Sequence, residues 1–292
     1  MKISIKDNLC IKCGTCVLAC PSRLLVQTCK ECSPAVPADE ACVSCGHCAA
    51  ICPTGAVSHS DFPAGRIKTI DRSLIPAPEQ VVSLLRARRT IRAFLDKPVE
   101  KALIETILDA ANTGPTPHNA HRVEYVVVQD RETVKKMLGT LAESYGKTIF
   151  LLKNPAALEG VPAPVRERVL SARPMLPVME KIAGRIKAGD DILQRGTPSV
   201  LVLYAPKAPV DFWGPRIDVT IALQNASLAA TSLGLGRCEL GYLEIAVAAN
   251  PQIQSLLGIT EDRAIYGVMA VGYPKYEFGN WIQKPVAKVT WL

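Results

Sequence analysis

Ten of the eleven cysteines lie between positions 10 and 52 of a 292-residue sequence, and this crowding needs a local explanation. Eight of them form two copies of one spacing, Cys-x2-Cys-x2-Cys-x3-Cys-Pro, which begin 32 residues apart at Cys10 and Cys42. The identical spacing and the same terminal proline indicate an internal repeat. The N-terminal segment is therefore predicted to contain two equivalent sites built from thiol groups.

Three thiolates separated by two residues can wrap one face of a cube-shaped iron-sulfur cluster, while the fourth cysteine, turned away before its proline, reaches the other cluster. By this rule the two predicted 4Fe-4S clusters have crosswise ligand sets, which are Cys10, Cys13, Cys16 and Cys52 for one and Cys42, Cys45, Cys48 and Cys20 for the other. The segment resembles two-cluster bacterial ferredoxins over residues 1–60. That resemblance implies short strands and helices in a pseudo-twofold arrangement around the clusters.

Two other interpretations of clustered cysteines are less favoured. A disulfide framework is disfavoured because no apolar secretory segment opens the sequence. A tetrahedral zinc site is disfavoured because such sites use paired Cys-x2-Cys elements separated by a longer stretch. Cys29 and Cys32 form an extra Cys-x2-Cys that the cluster pattern does not need. We expect them to be free thiols on a loop near the clusters, with a redox pair as the alternative.

Composition narrows the class of protein and its partners. Hydrophobic residues make up 48% of the chain and charged residues 21%, which is typical of a globular protein with a sizeable core. The formal charge is +7, but no basic run stands out and aromatic residues are only 5%, so no nucleic-acid partner is expected. Anionic cofactors would offset much of this charge. No apolar run approaches the roughly 18 to 20 residues of a membrane span, and we expect a cytoplasmic protein without a membrane partner.

Residues 61–77 have the proline and glycine content of a linker, which gives predicted domains at 1–60 and 78–292. Apolar periodicity in the second domain predicts helices at 78–89, 99–112, 132–141, 178–187 and 218–233, and strands at 125–128, 199–204 and 264–271. The first helix is predicted to turn Val81, Val82, Leu84 and Leu85 inward, and Asp130 is predicted to cap the third. The predicted class is α+β, with α/β as the alternative.

Residues 145–195 break this rhythm, because prolines stand at 155, 162, 164, 174 and 177 and one helix alone is predicted there. We expect a long irregular insertion. Such an insertion is either a lid or binding loop, or a surface excursion without a function.

A basic segment, Arg86-Ala-Arg88-Arg89-Thr90-Ile91-Arg92, follows the first helix of the second domain. Guanidinium groups match phosphate oxygens bidentately, so this is a candidate phosphate clamp, although a solvated basic helix end has the same pattern. Three further segments are Gly114–Asn119, Leu233–Gly241, and Val271–Pro274 ahead of Lys288–Trp291. In this order the four segments resemble the FMN-dependent nitroreductase family over residues 78–292, and the whole chain resembles the ferredoxin-nitroreductase fusions of anaerobic microbes.

The resemblance implies an FMN site. Arg88, Arg89 and Thr90 would hold the phosphate and ribityl chain, and Arg92 would lie at the pyrimidine edge, where a cation stabilises the reduced ring. The remaining implied contacts are Pro115, Thr116 and Asn119 against the ring and its polar edge, and the backbone N–H groups of Leu240 and Gly241 toward N5 and O4. The family also takes NAD(P)H as a donor.

One departure from the family pattern concerns the C-terminus, where an arginine commonly reaches the phosphate. Gln283 stands at that place, so Lys284 or Lys275 is expected to substitute. His118 is expected to be structural, with substrate contact as the alternative. Cys238 is expected to be a small buried residue.

Together the two resemblances imply an FMN-dependent oxidoreductase in which the clusters relay single electrons to or from FMN. The expected substrate is a small electrophile of the nitroaromatic, quinone or enone class, and the expected assembly is a homodimer. A redox partner protein is a further expectation. Two alternatives remain open: an FMN dehydrogenase that exports electrons through the clusters, and a non-catalytic electron-transfer or redox-sensing protein.

Overall fold

The computed structural model describes residues 2–38, 40–190, 199–209 and 212–292. The chain divides into two compact units, of which the first is Met1–Pro76 with Thr116–Ala120 and the second is Ala77–Pro115 with His121–Leu292. The predicted boundaries put Thr116–Ala120 in the second domain. The structure places this short segment in the first unit, where the side-chain amide of Asn119 donates a hydrogen bond to the backbone carbonyl of Ser44.

Short elements build the first unit, and they are β1 (Ile3–Ile5), α1 (Thr15–Ala19), α2 (His47–Ala50) and β2 (Val57–His59). The two strands pair antiparallel. Ile3, Val57, Cys16 and Cys48 are buried together in a small core. Each cysteine repeat contributes one short helix to this core, so the repetition in the sequence is also present in the fold.

The second unit contains a four-stranded sheet with the order β3-β4-β6-β5. Its strands are β3 (Glu124–Val128), β4 (Ser199–Pro206), β5 (Gly236–Glu239) and β6 (Arg263–Gly272). All neighbouring pairs are antiparallel, so the predicted α+β class is confirmed and α/β is excluded for this sheet. The three predicted strands are confirmed, with ends that agree within two residues. Strand β5 was not predicted because its four residues follow directly on a Gly-Leu-Gly turn.

The central strands β4 and β6 are buried on both faces. Their side chains alternate between two core clusters: Val200, Val202, Val268 and Ala270 enter one, and Leu201, Leu203, Met269 and Val271 enter the other. This alternation is the two-residue period of a strand. Because neither face of these two strands meets water, helices cover both faces there.

The helices of the second unit are α3 (Pro78–Ala87), α4 (Lys101–Asn112), α5 (Arg131–Lys153), α6 (Pro155–Glu159), α7 (Ala163–Ser171), α8 (Leu176–Lys187), α9 (Gly214–Ser232), α10 (Gly241–Ala248) and α11 (Pro251–Leu256). Residues of α4 and α9 enter one core cluster, whereas residues of α5, α8 and α10 enter the other. No helix in the described part of the chain is both long and apolar enough to cross a bilayer.

The prediction of an irregular insertion at 145–195 is wrong for its described residues, because most of them are helical. Helix α5 begins after the predicted cap Asp130, whose side chain accepts from the N–H of Thr133 at 2.7 Å, but it continues to Lys153. The prolines do not interrupt helices. Instead, Pro155, Pro164 and Pro177 lie in the first turns of α6, α7 and α8, where a missing N–H costs no hydrogen bond. Residues 191–195 of this prediction lie outside the described residues.

The prediction that the apolar side chains of the first helix of the second domain point inward is also wrong for a single copy of the chain. Helix α3 forms at Pro78–Ala87, but the side chains of Val81, Val82 and Leu85 are exposed and only Leu84 of the four is half-buried. The amphipathic pattern identified the helix correctly. It could not identify what covers the apolar side chains.

Strand β5 pairs on its free side with the segment that follows α3. The N–H of Ile91 donates to the carbonyl of Arg237 at 2.9 Å, and Thr90 forms a parallel bridge with Arg237. A Cβ atom placed on Gly236 would lie 2.8 Å from Cβ of Ile91. Glycine at this position therefore permits the close approach of the basic segment to the sheet.

We expect Gly236→Ala to lower the free energy of unfolding by about 1–3 kcal/mol, because the added methyl group overlaps Ile91 and must displace it. Chemical denaturation followed by far-UV circular dichroism measures the change. The matched control is Gly139→Ala in the middle of α5, where nothing lies within 4 Å of an added Cβ. That variant should be neutral or more stable by up to about 1 kcal/mol. Equal stability of the two variants would contradict the close packing at Gly236.

Candidate functional site

Two cavities in the first unit are each lined by four cysteines. One is lined by Cys10, Cys13, Cys16 and Cys52, and the other by Cys20, Cys42, Cys45 and Cys48. The fourth cysteine of each repeat thus faces the other repeat's cavity. These are the same two sets that the spacing predicts. That they ligate iron stays a prediction, but an all-thiol donor set is the one that 4Fe-4S clusters take.

Among the described residues, no three His, Cys, Asp or Glu side chains lie close enough together to hold a single metal ion. A cube-shaped cluster has four iron atoms and spaces its ligands more widely than one ion does. The spacing of the cysteines around each cavity is therefore that expected for a four-iron cluster and not for a single metal ion.

The two ligand loops share an unusual backbone conformation. Lys12 and Ser44, at equivalent positions of the two repeats, have φ of 62° and 51°, and Gly14 and Gly46 have φ of 73° and 71°. A Cβ on Gly14 would also lie 2.6 Å from Oε1 of Gln27. Left-handed backbone at matched positions turns successive cysteines toward one centre, and it explains why a glycine follows the second cysteine of each repeat.

Several polar groups point at the cysteine sulfurs. Backbone N–H groups of Lys12 and Leu24 donate to Sγ of Cys10 and Cys20 at 3.4 and 3.3 Å. The hydroxyl of Thr15 donates to Sγ of Cys13 at 3.1 Å. Such hydrogen bonds stabilise the anionic form of sulfur and raise the reduction potential of a cluster bound through it.

His59 was not singled out from the sequence, yet it contacts one of the predicted ligands. Its Nε2 lies 3.4 Å from Sγ of Cys42, and its Nδ1 accepts from the N–H of Asp61 at 3.1 Å. Because Nδ1 is an acceptor, neutral His59 carries its proton on Nε2 and donates it toward the sulfur. The ring is buried and packs against Phe62. No spacing rule connects this strand residue to a cysteine loop, so sequence alone gave no signal.

The environment shifts the thiol pKa values in opposite directions. Burial raises the pKa of Cys48 to about 11, and it also raises the pKa of Cys16. The hydroxyl of Thr15 lowers the pKa of Cys13. Cluster formation requires all of these thiols to be deprotonated. Loss of the proton costs the most free energy at Cys16 and Cys48, because their pKa values are raised, and iron binding must offset that cost.

The expectation of free thiols at Cys29 and Cys32 is wrong, because the two residues form a disulfide bond. The chain folds back over this pair, with Val26 and Ala35 exchanging both backbone hydrogen bonds. The side-chain amide of Gln27 donates to the carbonyls of Lys12 and Cys32, both at 2.9 Å. The disulfide turn is therefore tied to the loop between Cys10 and Cys13.

In the second unit the fold brings three of the four predicted flavin segments together. Thr90 and Ile91 pair with β5, while the chain after Ile91 runs beside residues 273–276. The N–H of Arg92 donates to the hydroxyl of Tyr276 at 3.4 Å, and the N–H of Lys275 donates to the carbonyl of Ala93 at 3.0 Å. The end of the basic segment is thus held between β5 and residues 273–276.

The backbone groups predicted to face the flavin ring lie where β5 ends and α10 begins. Leu240 is buried and its N–H donates to the carbonyl of Val268, whereas Gly241 is exposed at the first position of α10. The first N–H groups of a helix have no partner within the helix. The N–H of Leu240 is thus already used within the sheet, whereas the N–H of Gly241, at the first position of α10, is available to an acceptor.

The fourth segment is divided between the units, since Pro115 belongs to the second and Thr116 and Asn119 to the first. His118, Asn119 and His121 have φ of 54°, 53° and 43°. His118 is exposed, and its expected role as a hydrogen-bonded structural residue stays a prediction. Three non-glycine residues in the left-handed region mark a constrained loop.

The C-terminal segment, residues 277–292, is exposed throughout and forms neither helix nor strand. Lys284 lies on it, whereas Lys275 is held beside the basic segment. Two aromatic rings of the segment stack on arginines: Phe278 lies 5.4 Å from the guanidinium of Arg89 and Trp281 lies 4.6 Å from that of Arg86. Cys238 is buried in the core, as predicted.

Two relatives of known sequence resemble the chain over much of its length. A protein of Archaeoglobus fulgidus, named as a candidate NADH dehydrogenase/NAD(P)H nitroreductase, is 29% identical over 68% of this chain and 88% of its own length. The FMN reductase (NAD(P)H) of Bacillus subtilis is 28% identical over 59% of this chain and 57% of its own length.

The structural comparison gives the same fold. A nitroreductase with bound FMN from Desulfitobacterium hafniense has a TM-score of 0.53 and 21% identity, covering 73% of this chain and 98% of that one. Residues 9–57 match the 4Fe-4S dicluster domain and residues 85–273 match the nitroreductase family. The second match spans well over half of the sequence. The chain therefore belongs to the nitroreductase family of oxidoreductases and carries a 4Fe-4S dicluster domain ahead of the family region.

Proposed function

We propose that this protein is an FMN-dependent oxidoreductase in which two 4Fe-4S clusters relay single electrons to or from FMN. Its substrate is a small electrophile of the nitroaromatic, quinone or enone class. The cluster domain is residues 1–60, the linker 61–77 and the FMN domain 78–292. The observation that carries the proposal is the pair of four-cysteine cavities in a chain whose remainder belongs to the nitroreductase family.

The chemistry of the two cofactors is complementary. A 4Fe-4S cluster exchanges one electron at a time, whereas a flavin exchanges one or two. Joining them in one chain lets one-electron donors support two-electron reduction of a substrate. The chain's own contribution is to hold the cofactors, to supply hydrogen bonds to the cysteine sulfurs, and to place cations around the flavin.

The FMN site is proposed to use the residues that the family resemblance indicated, which are Arg88, Arg89, Thr90, Arg92, Pro115, Thr116, Asn119, Leu240, Gly241 and Lys284. Pairing of the basic segment with β5, and the exposed N-terminus of α10 at the end of the same strand, support this set. The bound FMN of the D. hafniense structure and the name of the B. subtilis relative support FMN as the cofactor and NAD(P)H as a donor.

We expect a homodimer, because a second copy would cover the exposed apolar side chains of α3 and of the C-terminal segment, among them Val82, Leu85 and Trp281. Light scattering should give twice the mass of one chain, and Val82→Glu with Leu85→Glu should shift the mass toward the monomer. Lys101→Glu, an exposed change on α4, is the control. A monomer that retains one FMN per chain would contradict this assembly.

The crosswise ligand sets predict a specific pattern of iron loss. Reconstituted protein should hold about eight iron atoms per chain, and Cys13→Ala and Cys52→Ala should each retain about four. The double variant should also retain about four, because both cysteines serve the same cluster. Iron analysis with EPR of the reduced protein measures this.

Cys238→Ala is the control for the iron analysis and should retain about eight iron atoms. If each cysteine served the cluster of its own repeat, the double variant would lose nearly all of its iron. That result would reject the crosswise sets while leaving two clusters in place.

Anaerobic reductive titration tests the proposed electron relay. Protein with both cofactors should accept about four electrons per chain, one for each cluster and two for the flavin. Adding a nitroaromatic, a quinone or an enone should restore the absorbance of both cofactors. If none of the three classes oxidises the reduced protein, the reductase proposal fails. A compound other than NAD(P)H that instead bleaches the oxidised flavin and then the clusters would establish the dehydrogenase direction.

A further inference from the structure

Arg237, on strand β5, is a buried guanidinium with unused hydrogen-bonding capacity. The residue is 5% exposed, and its Nη1 lies 3.1 Å from a carboxylate oxygen of Glu239, whose side chain is half exposed. Within the described residues, Nε of Arg237 is buried and has no hydrogen-bond partner. A guanidinium offers five N–H donors, and a buried donor left unsatisfied is costly. One solvated carboxylate does not account for this group.

The side chain of Arg237 shares a face of the sheet with Thr90. The two residues are paired in a parallel bridge, and residues paired across neighbouring strands project to the same side. Their next neighbours confirm the orientation, because Ile91 and Cys238 both enter the same core cluster on the opposite face. Arg237 and Thr90 therefore stand side by side.

A second guanidinium, that of the half-buried Arg88, acts on Arg237 through its charge. Burial lowers the pKa of Arg237, and the nearby charge of Arg88 lowers it further, while Glu239 acts in the opposite direction. Two cations that approach each other away from water repel strongly unless an anion stands near both. Phosphate supplies two negative charges and several acceptor oxygens, and guanidinium forks match its geometry.

We propose that Arg237 binds the phosphate of FMN together with Arg88 and Thr90, as a cation contributed by the sheet to a clamp otherwise built from the basic segment. The proposal rests on the proposed function, since it assumes that FMN is the ligand. It also supplies from β5 a cation that Lys284, on the exposed C-terminal segment, was expected to provide.

The test compares FMN with riboflavin, which has the same ring and ribityl chain but no phosphate. Flavin is removed from the full-length protein, and the dissociation constants of both flavins are measured by ultrafiltration and chromatography. For Arg237→Met, FMN should bind about tenfold to hundredfold more weakly, while riboflavin binding should stay within about twofold of wild type. Arg237→Lys, which keeps the charge but not the fork, should fall between Met and wild type for FMN alone.

Glu239→Gln is the matched control. It removes the negative charge beside Arg237 but keeps an acceptor oxygen, so it should leave FMN affinity unchanged or make it tighter. Thermal unfolding of each variant checks the fold, and Arg237→Lys carries the test if Arg237→Met is unstable. Equal weakening of FMN and riboflavin by the Arg237 variants, or equal affinities of the wild type for the two flavins, would overturn the phosphate role while leaving the proposed function intact. A wild-type chain that binds neither flavin would overturn the proposed function itself and this inference with it.

Discussion

The side chains of β4 and β6 interlock with two separate helical layers, and the position of the candidate site in the second unit follows from that packing. Successive residues of each strand enter opposite core clusters, so the central pair of strands has no face or edge left for a ligand. The edge strand β5 differs because it has one strand partner, β6, and takes the basic segment as its other neighbour. Gly236 permits this approach, since any larger residue would overlap Ile91.

The same packing explains why the charged groups of the site collect at β5. Alternation along the strand turns Cys238 into the core and leaves Arg237 on the face that it shares with Thr90. Two rings of the C-terminal segment stack on Arg86 and Arg89, which limits the rotamers of those side chains. Cations held in this way lose less conformational entropy on binding an anion than freely rotating ones.

In the cysteine-rich unit a different constraint dominates, namely the short length of chain between the cysteines that are predicted to be ligands. Left-handed backbone at matched positions of both repeats turns the cysteines inward, and neighbouring N–H and hydroxyl groups are directed at the sulfurs. Such groups favour thiolate before any iron is bound. The buried ring of His59 adds one more donor, on Cys42, from a strand that the cysteine spacing does not involve.

Local patterns determined much of this protein. Cysteine spacing separated eight candidate ligands into two groups. Apolar runs located β3, β4 and β6, and Asp130 marked the start of α5. Each of these features depends on residues that are close together in sequence. Proline content misled the prediction for residues 145–195, since the same residue that breaks a helix interior also begins a helix.

Tertiary structure alone decided the rest. The contact of His59 with Cys42, the pairing of Thr90 with Arg237, and the place of Thr116–Ala120 all join residues far apart in sequence. No periodicity records such contacts, because they depend on how completed elements pack. The disulfide between Cys29 and Cys32 depended on turn geometry rather than spacing alone, and the exposed face of α3 shows that an amphipathic helix fixes which side chains need cover without fixing what covers them.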